Sequence, residues 1–281
     1  MSERTSEDDG QAVQRLESEL AKLEPTTRRR IIEKFLLAAL GSIPWIGGFL
    51  SAAADFKEDE DGVRQNALQT EWLREHERKI ARLREALEGI HVRFESLGEA
   101  IAERIQSEEY LTLVRKAFRV WDTSETEEKR KYVSNIVVNS AGTRVCSDDV
   151  VRLFMDWLGL YHEVHFAVVR EIFRNPGATR LDVWTTLYGA MPREDSAEAD
   201  LYRFLFRDLS TGGVIRQHRE TDYSGQFLKK PRVRQSPNST GTMKSAFDDA
   251  ESYELTELGK QFVHYTMNEV IGQINAPGPK S

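Results

Sequence analysis

A stretch of 20 residues without a charge, FLLAALGSIPWIGGFLSAAA, runs from Phe35 to Ala54 in a chain in which 30% of the residues are charged. An apolar helix of about 20 residues is long enough to span a bilayer. Gly41, Pro44 and Gly47 interrupt the stretch, however, and weaken one continuous helix. Three structures therefore fit the pattern: a single membrane-spanning helix, a helical hairpin that turns at Gly-Ser-Ile-Pro, or a buried core segment of a helical bundle.

The hairpin interpretation predicts a membrane-contacting surface. One arm would end near Leu40 and the other would begin near Trp45, so each arm is too short to cross a bilayer. Small residues such as Gly47 and Gly48 would let such helices pack closely in an oligomer. In its arrangement of elements, the segment is loosely similar to α-helical pore-forming proteins, in which a helical bundle shields an apolar segment until a trigger exposes it. The candidate membrane-contacting residues are Leu37, Leu40, Ile43, Trp45, Ile46, Phe49 and Leu50.

Residues 63–105 are predicted to form one long helix. Apolar residues from Leu73 to Ile101 recur mostly at alternating three- and four-residue steps, with Glu, Arg and Lys between them. This heptad-like pattern requires a second helix along the apolar seam. The second helix can come from the same chain, as in a helical hairpin, or from another copy, as in a dimeric coiled coil.

The composition argues against several function classes. The formal net charge is −7, so the surface as a whole does not favour indiscriminate binding to nucleic acid. Cys146 is the single cysteine, which excludes an internal disulfide and is typical of a reducing cytoplasm. It has no motif around it that would indicate a catalytic thiol. His162 and His165 have the spacing of metal ligands but lack further ligands nearby in the sequence. We therefore expect no catalytic residues, metal or cofactor.

The C-terminal part of the chain has a different pattern, in which three helices are followed by two short strands and a last helix. Its most specific features are STGGVIRQ, around Gly212 and Gly213, and YELTELGKQF, in which Thr256 would cap a helix and Gly259 would allow close packing. Residues 161–271 thereby resemble the winged-helix superfamily. Winged helices bind DNA, RNA or proteins, so the resemblance implies a fold and leaves the ligand open.

Within this region the predicted third helix is acidic, whereas the predicted wing is basic in its first part. The helix that would enter a DNA groove carries more acids than bases, which disfavours base readout. The predicted wing, residues 216–250, is basic in its first part. The candidate polyanion-binding residues are Arg216, Arg219, Lys229, Lys230, Arg232 and Arg234.

Taken together, the sequence predicts a mainly α-helical protein in three parts. Residues 1–25 form an acidic N-terminal segment, residues 26–160 a helical domain with the apolar hairpin (35–55), and residues 161–281 a winged-helix-like α+β domain. We expect a non-enzymatic, oligomeric effector of the toxin or defence type that acts on membrane lipid and is controlled through its winged-helix module. The alternative is a dimeric winged-helix regulator that binds DNA. Either protein would be cytoplasmic, and the first would associate with the inner membrane.

Overall fold

The computed structural model describes residues 27–46, 67–219, 224, 226 and 245–268. Within these ranges the protein is mainly helical, and its strands form one small antiparallel pair. The chain divides into two compact units. The first unit contains the described residues up to Leu160 together with those from Tyr265 onward, and the second unit is Tyr161–His264.

The first unit is built around one central helix. Its helices are α1 (Thr27–Leu40), α2 (Ala67–Leu97), a 3-10 turn (Gly98–Ile101), α3 (Ala102–Gln106), α4 (Glu108–Thr123), α5 (Glu127–Gly142) and α6 (Asp148–Leu160). Helix α4 begins at Ser107, whose side chain accepts a hydrogen bond from the Tyr110 N–H. It packs against α1, α5 and α6, and its apolar face is buried from Tyr110 to Trp121. Burial of this face supplies the main hydrophobic stabilisation of the unit.

The long helix is shorter than the sequence predicts. Instead of continuing to Ile105, α2 ends at Leu97, because Gly98 takes a left-handed backbone conformation with φ of +67°. The buried residues of its seam include Leu83, Ile90 and Phe94, and α2 packs against α5 of the same chain. This part of the heptad pattern is therefore accounted for by an intramolecular partner.

The first half of the uncharged stretch lies in the core of the first unit. Phe35, Ala39 and Ile43 are buried, and α1 packs against α4 and α3. After α1 ends, Trp45 donates a hydrogen bond of 2.6 Å from its Nε1 to Asp122 Oδ1. Among the residues that the structure describes, no helix is both long enough and apolar enough to cross a membrane. Phe49 and Leu50 lie outside the described residues.

The second unit combines helices with the strand pair, and it shares its last helix with the first unit. Its elements are α7 (Glu163–Arg174), α8 (Arg180–Tyr188), α9 (Ala197–Thr211), β1 (Ile215–Gln217), β2 (Tyr253–Leu255) and α10 (Glu257–Thr266), whose last two residues belong to the first unit. The strands pair antiparallel, with Ile215 opposite Leu255, and an isolated bridge joins Thr179 to Ser252. Ring contacts fill the interior, among them Phe206 against Tyr253 at 4.8 Å between ring centroids.

Two local predictions for this unit are confirmed. Thr256 caps α10, since its Oγ1 accepts a hydrogen bond of 2.9 Å from the Gly259 N–H. A Cβ atom at Gly259 would lie 2.1 Å from the backbone oxygen of Val214, so only glycine fits this position without movement of the backbone. Both contacts fix α10 against the residues that lead into β1.

Candidate functional site

A groove of about 860 Å³ opens in the second unit between α9 and the strand pair. Its walls carry one acidic residue, Asp200, and aromatic side chains including Phe204 and Tyr253. The other charged side chains that line it are the arginines Arg180, Arg203, Arg207, Arg216 and Arg219. We call this site the arginine groove.

Two of these arginines are neutralised by carboxylates. Arg203 Nη2 lies 2.5 Å from Glu194 Oε2, and its Nη1 lies 2.8 Å from Asp200 Oδ1. Arg216 Nε lies 2.7 Å from Glu254 Oε1. Arg203 with its two carboxylates has a net charge of −1, and Arg216 with Glu254 is neutral, so these groups add no net positive charge to the wall. Arg216, although correctly placed on the groove, is therefore partly committed to the strand pair.

The other three arginines have no carboxylate partner among the described residues. Arg180 donates hydrogen bonds from Nε and Nη2 to Tyr253 Oη, at 3.0 and 2.7 Å. Its guanidinium also lies 5.4 Å from the ring centroids of Phe206 and Tyr253. These contacts orient the guanidinium, and no described carboxylate compensates its charge. Arg219 is exposed at the far end of β1.

The third, Arg207, lies on α9 over an aromatic ring. Its guanidinium carbon is 5.8 Å from the centroid of Phe204, whose side chain is 42% exposed. His165 supports this ring from within the unit, with ring centroids 6.2 Å apart and planes at 77°. Arg207 and Phe204 thus present a cationic and aromatic surface to the groove.

His165 has a structural role in this arrangement. It is 2% exposed, and its Nδ1 accepts a hydrogen bond of 3.1 Å from the His162 N–H at the start of α7. Its Nε2 lies 3.3 Å from Asp208 Oδ2. Burial lowers the pKa of His165, and the attraction of Asp208 offsets this effect only in part. Among the described residues no group of three or more His, Cys, Asp or Glu could hold a metal ion.

Only some of the sequence-predicted anion-binding residues lie within the described part of the chain. The structure brings Arg216 and Arg219 together on the groove, whereas Lys229, Lys230, Arg232 and Arg234 lie outside the described residues. Sequence reasoning missed Arg180 and Arg207. The available signal was the pairing of an aromatic residue with Arg207 three positions later on α9, because this spacing places both on one helix face.

The predicted membrane-contacting residues that the structure describes differ widely in exposure. Leu37 is 72% exposed, Leu40, Trp45 and Ile46 are half-buried, and Ile43 is 2% exposed. Leu37 lines a second groove, of about 470 Å³, between α1 and α4 in the first unit. Three cationic residues also line that groove: Lys34, Arg115, which lies 2.5 Å from Glu108, and Arg119.

Comparison with known proteins gives no relative from which a role could be transferred. No family model matches the chain, and neither a curated protein nor a solved structure is significantly similar to it. The geometry of the grooves is therefore the guide to function.

Proposed function

We propose that the protein is a non-enzymatic nucleic-acid-binding protein whose second unit, a winged-helix-like domain, holds a phosphate backbone in the arginine groove. The observation that carries this proposal is the set of three arginines, Arg180, Arg207 and Arg219, on one groove without carboxylate partners among the described residues. Guanidinium groups suit phosphates because their planar donors bind two oxygens at once.

The order of elements supports a winged-helix-like domain. Helices α7, α8 and α9 are followed by β1, β2 and α10, and the bridge at Thr179 adds an extended residue between α7 and α8. In DNA-binding winged helices the third helix and the wing contact the nucleic acid. Here α9 and β1, the strand that leads into the predicted wing, form two walls of the arginine groove.

The charge distribution supports local rather than general attraction of a polyanion. The chain has a net charge of −7, yet its acids on this face are paired with Arg203 and Arg216. A phosphate backbone in the groove would release counterions from the nucleic acid, so affinity should fall steeply with salt. The apolar seam of α2 is buried within the chain, and the proposal therefore does not depend on a dimer.

The test measures the affinity of the full chain for fluorescently labelled oligonucleotides of random sequence by anisotropy, across a salt series. The double variant Arg207→Gln with Arg219→Gln should bind more weakly, because it removes two uncompensated charges and leaves the ion pairs intact. Each lost phosphate contact should reduce the slope of log affinity against log salt by about 0.7 for single strands and about 0.9 for duplexes.

The matched control is Arg174→Gln, which removes an exposed arginine at the end of α7, outside the arginine groove. It should bind as the unmodified protein does. A loss of binding free energy in the control that is half the loss in the double variant would mean that net charge alone governs binding. That result, or no binding by the unmodified protein at low salt, would refute the proposal.

A second function, docking on an anionic membrane, is favoured by one observation. Leu37 is the most exposed of the large apolar side chains that the structure describes. It shares its groove with Lys34 and Arg119, and with Arg115, whose charge is paired with Glu108 on the same groove. Insertion of a leucine contributes about 1.5–3 kcal/mol, and each nearby cation about 1 kcal/mol at an anionic surface. These energies suit weak, reversible docking.

The docking function is tested by co-sedimentation with vesicles of phosphatidylserine and phosphatidylcholine. Leu37→Asp should abolish binding, whereas Val92→Asp, at an apolar side chain that is 62% exposed on α2, should not. Equal binding to vesicles of phosphatidylcholine alone would show that charge has no part in docking and would contradict this mechanism.

A further inference from the structure

The face that α9 turns to the arginine groove is poorly suited to reading base pairs. It contributes Asp200, Phe204, Arg207, Ser210 and Thr211 to the groove wall. The helix AEADLYRFLFRDLST contains no Asn, Gln or Lys, which are common readers of base edges in duplex DNA. Its other arginine, Arg203, is held by Glu194 and Asp200. Arg207 is therefore the single cation on this face that remains available to a base or a phosphate.

The same face carries a group that suits unpaired bases. Phe204 is 42% exposed and lines the groove beside charged side chains. Its ring is held in place, with His165 against it at 77° and Arg207 5.8 Å from its centroid. An ordered aromatic ring beside a guanidinium is a stacking platform, since nucleobases stack on both kinds of group.

The remaining cations of the groove line the same cavity as Phe204. Arg180 and Arg219 have no carboxylate partner among the described residues, and both line the same groove as Phe204. A base on Phe204 would then leave its flanking phosphates to these guanidinium groups. Bases in a duplex are stacked on their neighbours and cannot offer their faces in this way.

Building on the proposed function, we infer that the arginine groove is a binding site for single-stranded nucleic acid, with Phe204 as the stacking platform for an unpaired base. The site requires no catalytic step and no cofactor. Discrimination between single strands and duplexes comes from Phe204, whereas the arginines contribute to the binding of both.

The experiment compares a labelled single strand of mixed sequence with the duplex of the same sequence, by anisotropy with the full chain. Phe204→Ala should weaken binding of the single strand by about 5- to 150-fold, the loss expected for one stacked base, and change duplex binding less than about twofold. Phe204→Trp should retain the single-strand affinity of the unmodified protein, because tryptophan offers a larger aromatic face. The matched control is Phe173→Ala, at a phenylalanine that is 45% exposed on α7 and does not line the groove.

Near-ultraviolet circular dichroism confirms that each variant keeps its tertiary packing. Tighter binding of the duplex by the unmodified protein would overturn the inference. So would an equal loss of both affinities in Phe204→Ala, or no loss of either. In these cases the proposed function stands as long as the arginine variants lower affinity. Failure of the unmodified protein to bind any strand would overturn both.

Discussion

Replacement of Phe35 by alanine tests whether the start of the uncharged stretch is core. Its ring is 3% exposed and lies edge-on to Phe94 at 5.3 Å and to Phe118 at 6.2 Å between centroids. It thereby joins α1 to both α2 and α4. Truncation of a buried phenylalanine costs about 3–5 kcal/mol, and the two ring contacts place Phe35 in the upper part of that range. Leu37 offers a matched control two residues away, since its side chain is 72% exposed and its truncation should cost less than about 0.5 kcal/mol.

Hydrogen exchange followed by mass spectrometry measures this difference in the first unit alone. Protected amides of α4 that exchange through global opening should exchange roughly 150- to 5,000-fold faster in Phe35→Ala, since each 1.4 kcal/mol is a tenfold change. In Leu37→Ala their rate should change by less than about threefold. Similar, small effects of the two substitutions would refute the conclusion that α1 is a structural part of the core, and would favour the releasable hairpin.

Three further perturbations probe other contacts. Asn135→Ala should destabilise the first unit by about 1–3 kcal/mol, measured by the same exchange method, because it leaves the buried carbonyl of Thr266 without the 2.6 Å hydrogen bond from Asn135 Nδ2. Gly259→Ala should lower the free energy of unfolding of the second unit, measured by chemical denaturation, by about 1–3 kcal/mol, because the new methyl group meets the backbone oxygen of Val214. The pKa of His165 is lowered in the folded state, so the folded state binds fewer protons than the unfolded state below about pH 6.5. The stability of the second unit, measured by chemical denaturation, should therefore fall from pH 7 to pH 5, and His165→Asn should make this fall smaller.

The uncharged stretch illustrates what sequence alone could not decide. Its hydropathy is equally compatible with a membrane and with a core, because the outcome depends on which side chains other helices supply. Phe94 and Phe118, distant in sequence, bury Phe35, whereas no described residue covers most of Leu37. Periodicity did predict the long helix and its buried seam. The end of α2 was missed because the apolar periodicity continues past Gly98 to Ile101, although glycine is the usual residue at a helix C-terminus.

The C-terminal domain was predictable in its order of elements because caps and turns are local signals. Ser196 caps α9 and accepts a hydrogen bond from the Ala199 N–H, and Thr256 caps α10. The arginine groove was less predictable. It depends on Arg180, which precedes α9 in the chain. The guanidinium of Arg180 is oriented at the groove by its hydrogen bonds to the hydroxyl of Tyr253 on β2. Such a contact follows from tertiary packing and leaves no trace in local spacing.

The excess of acidic residues on α9 explains why its sequence disfavoured nucleic-acid binding by this helix. A count of charges over a whole helix treats every side chain as if it faced the ligand. In the structure, Asp200 and Glu194 neutralise Arg203, and Asp208 lies beside the buried His165. In the part of the chain that the structure describes, no carboxylate pairs with Arg207 at the groove. The electrostatic character of a binding face is therefore set by which ion pairs are satisfied within the fold, and a helix with a negative sum can still present a positive surface.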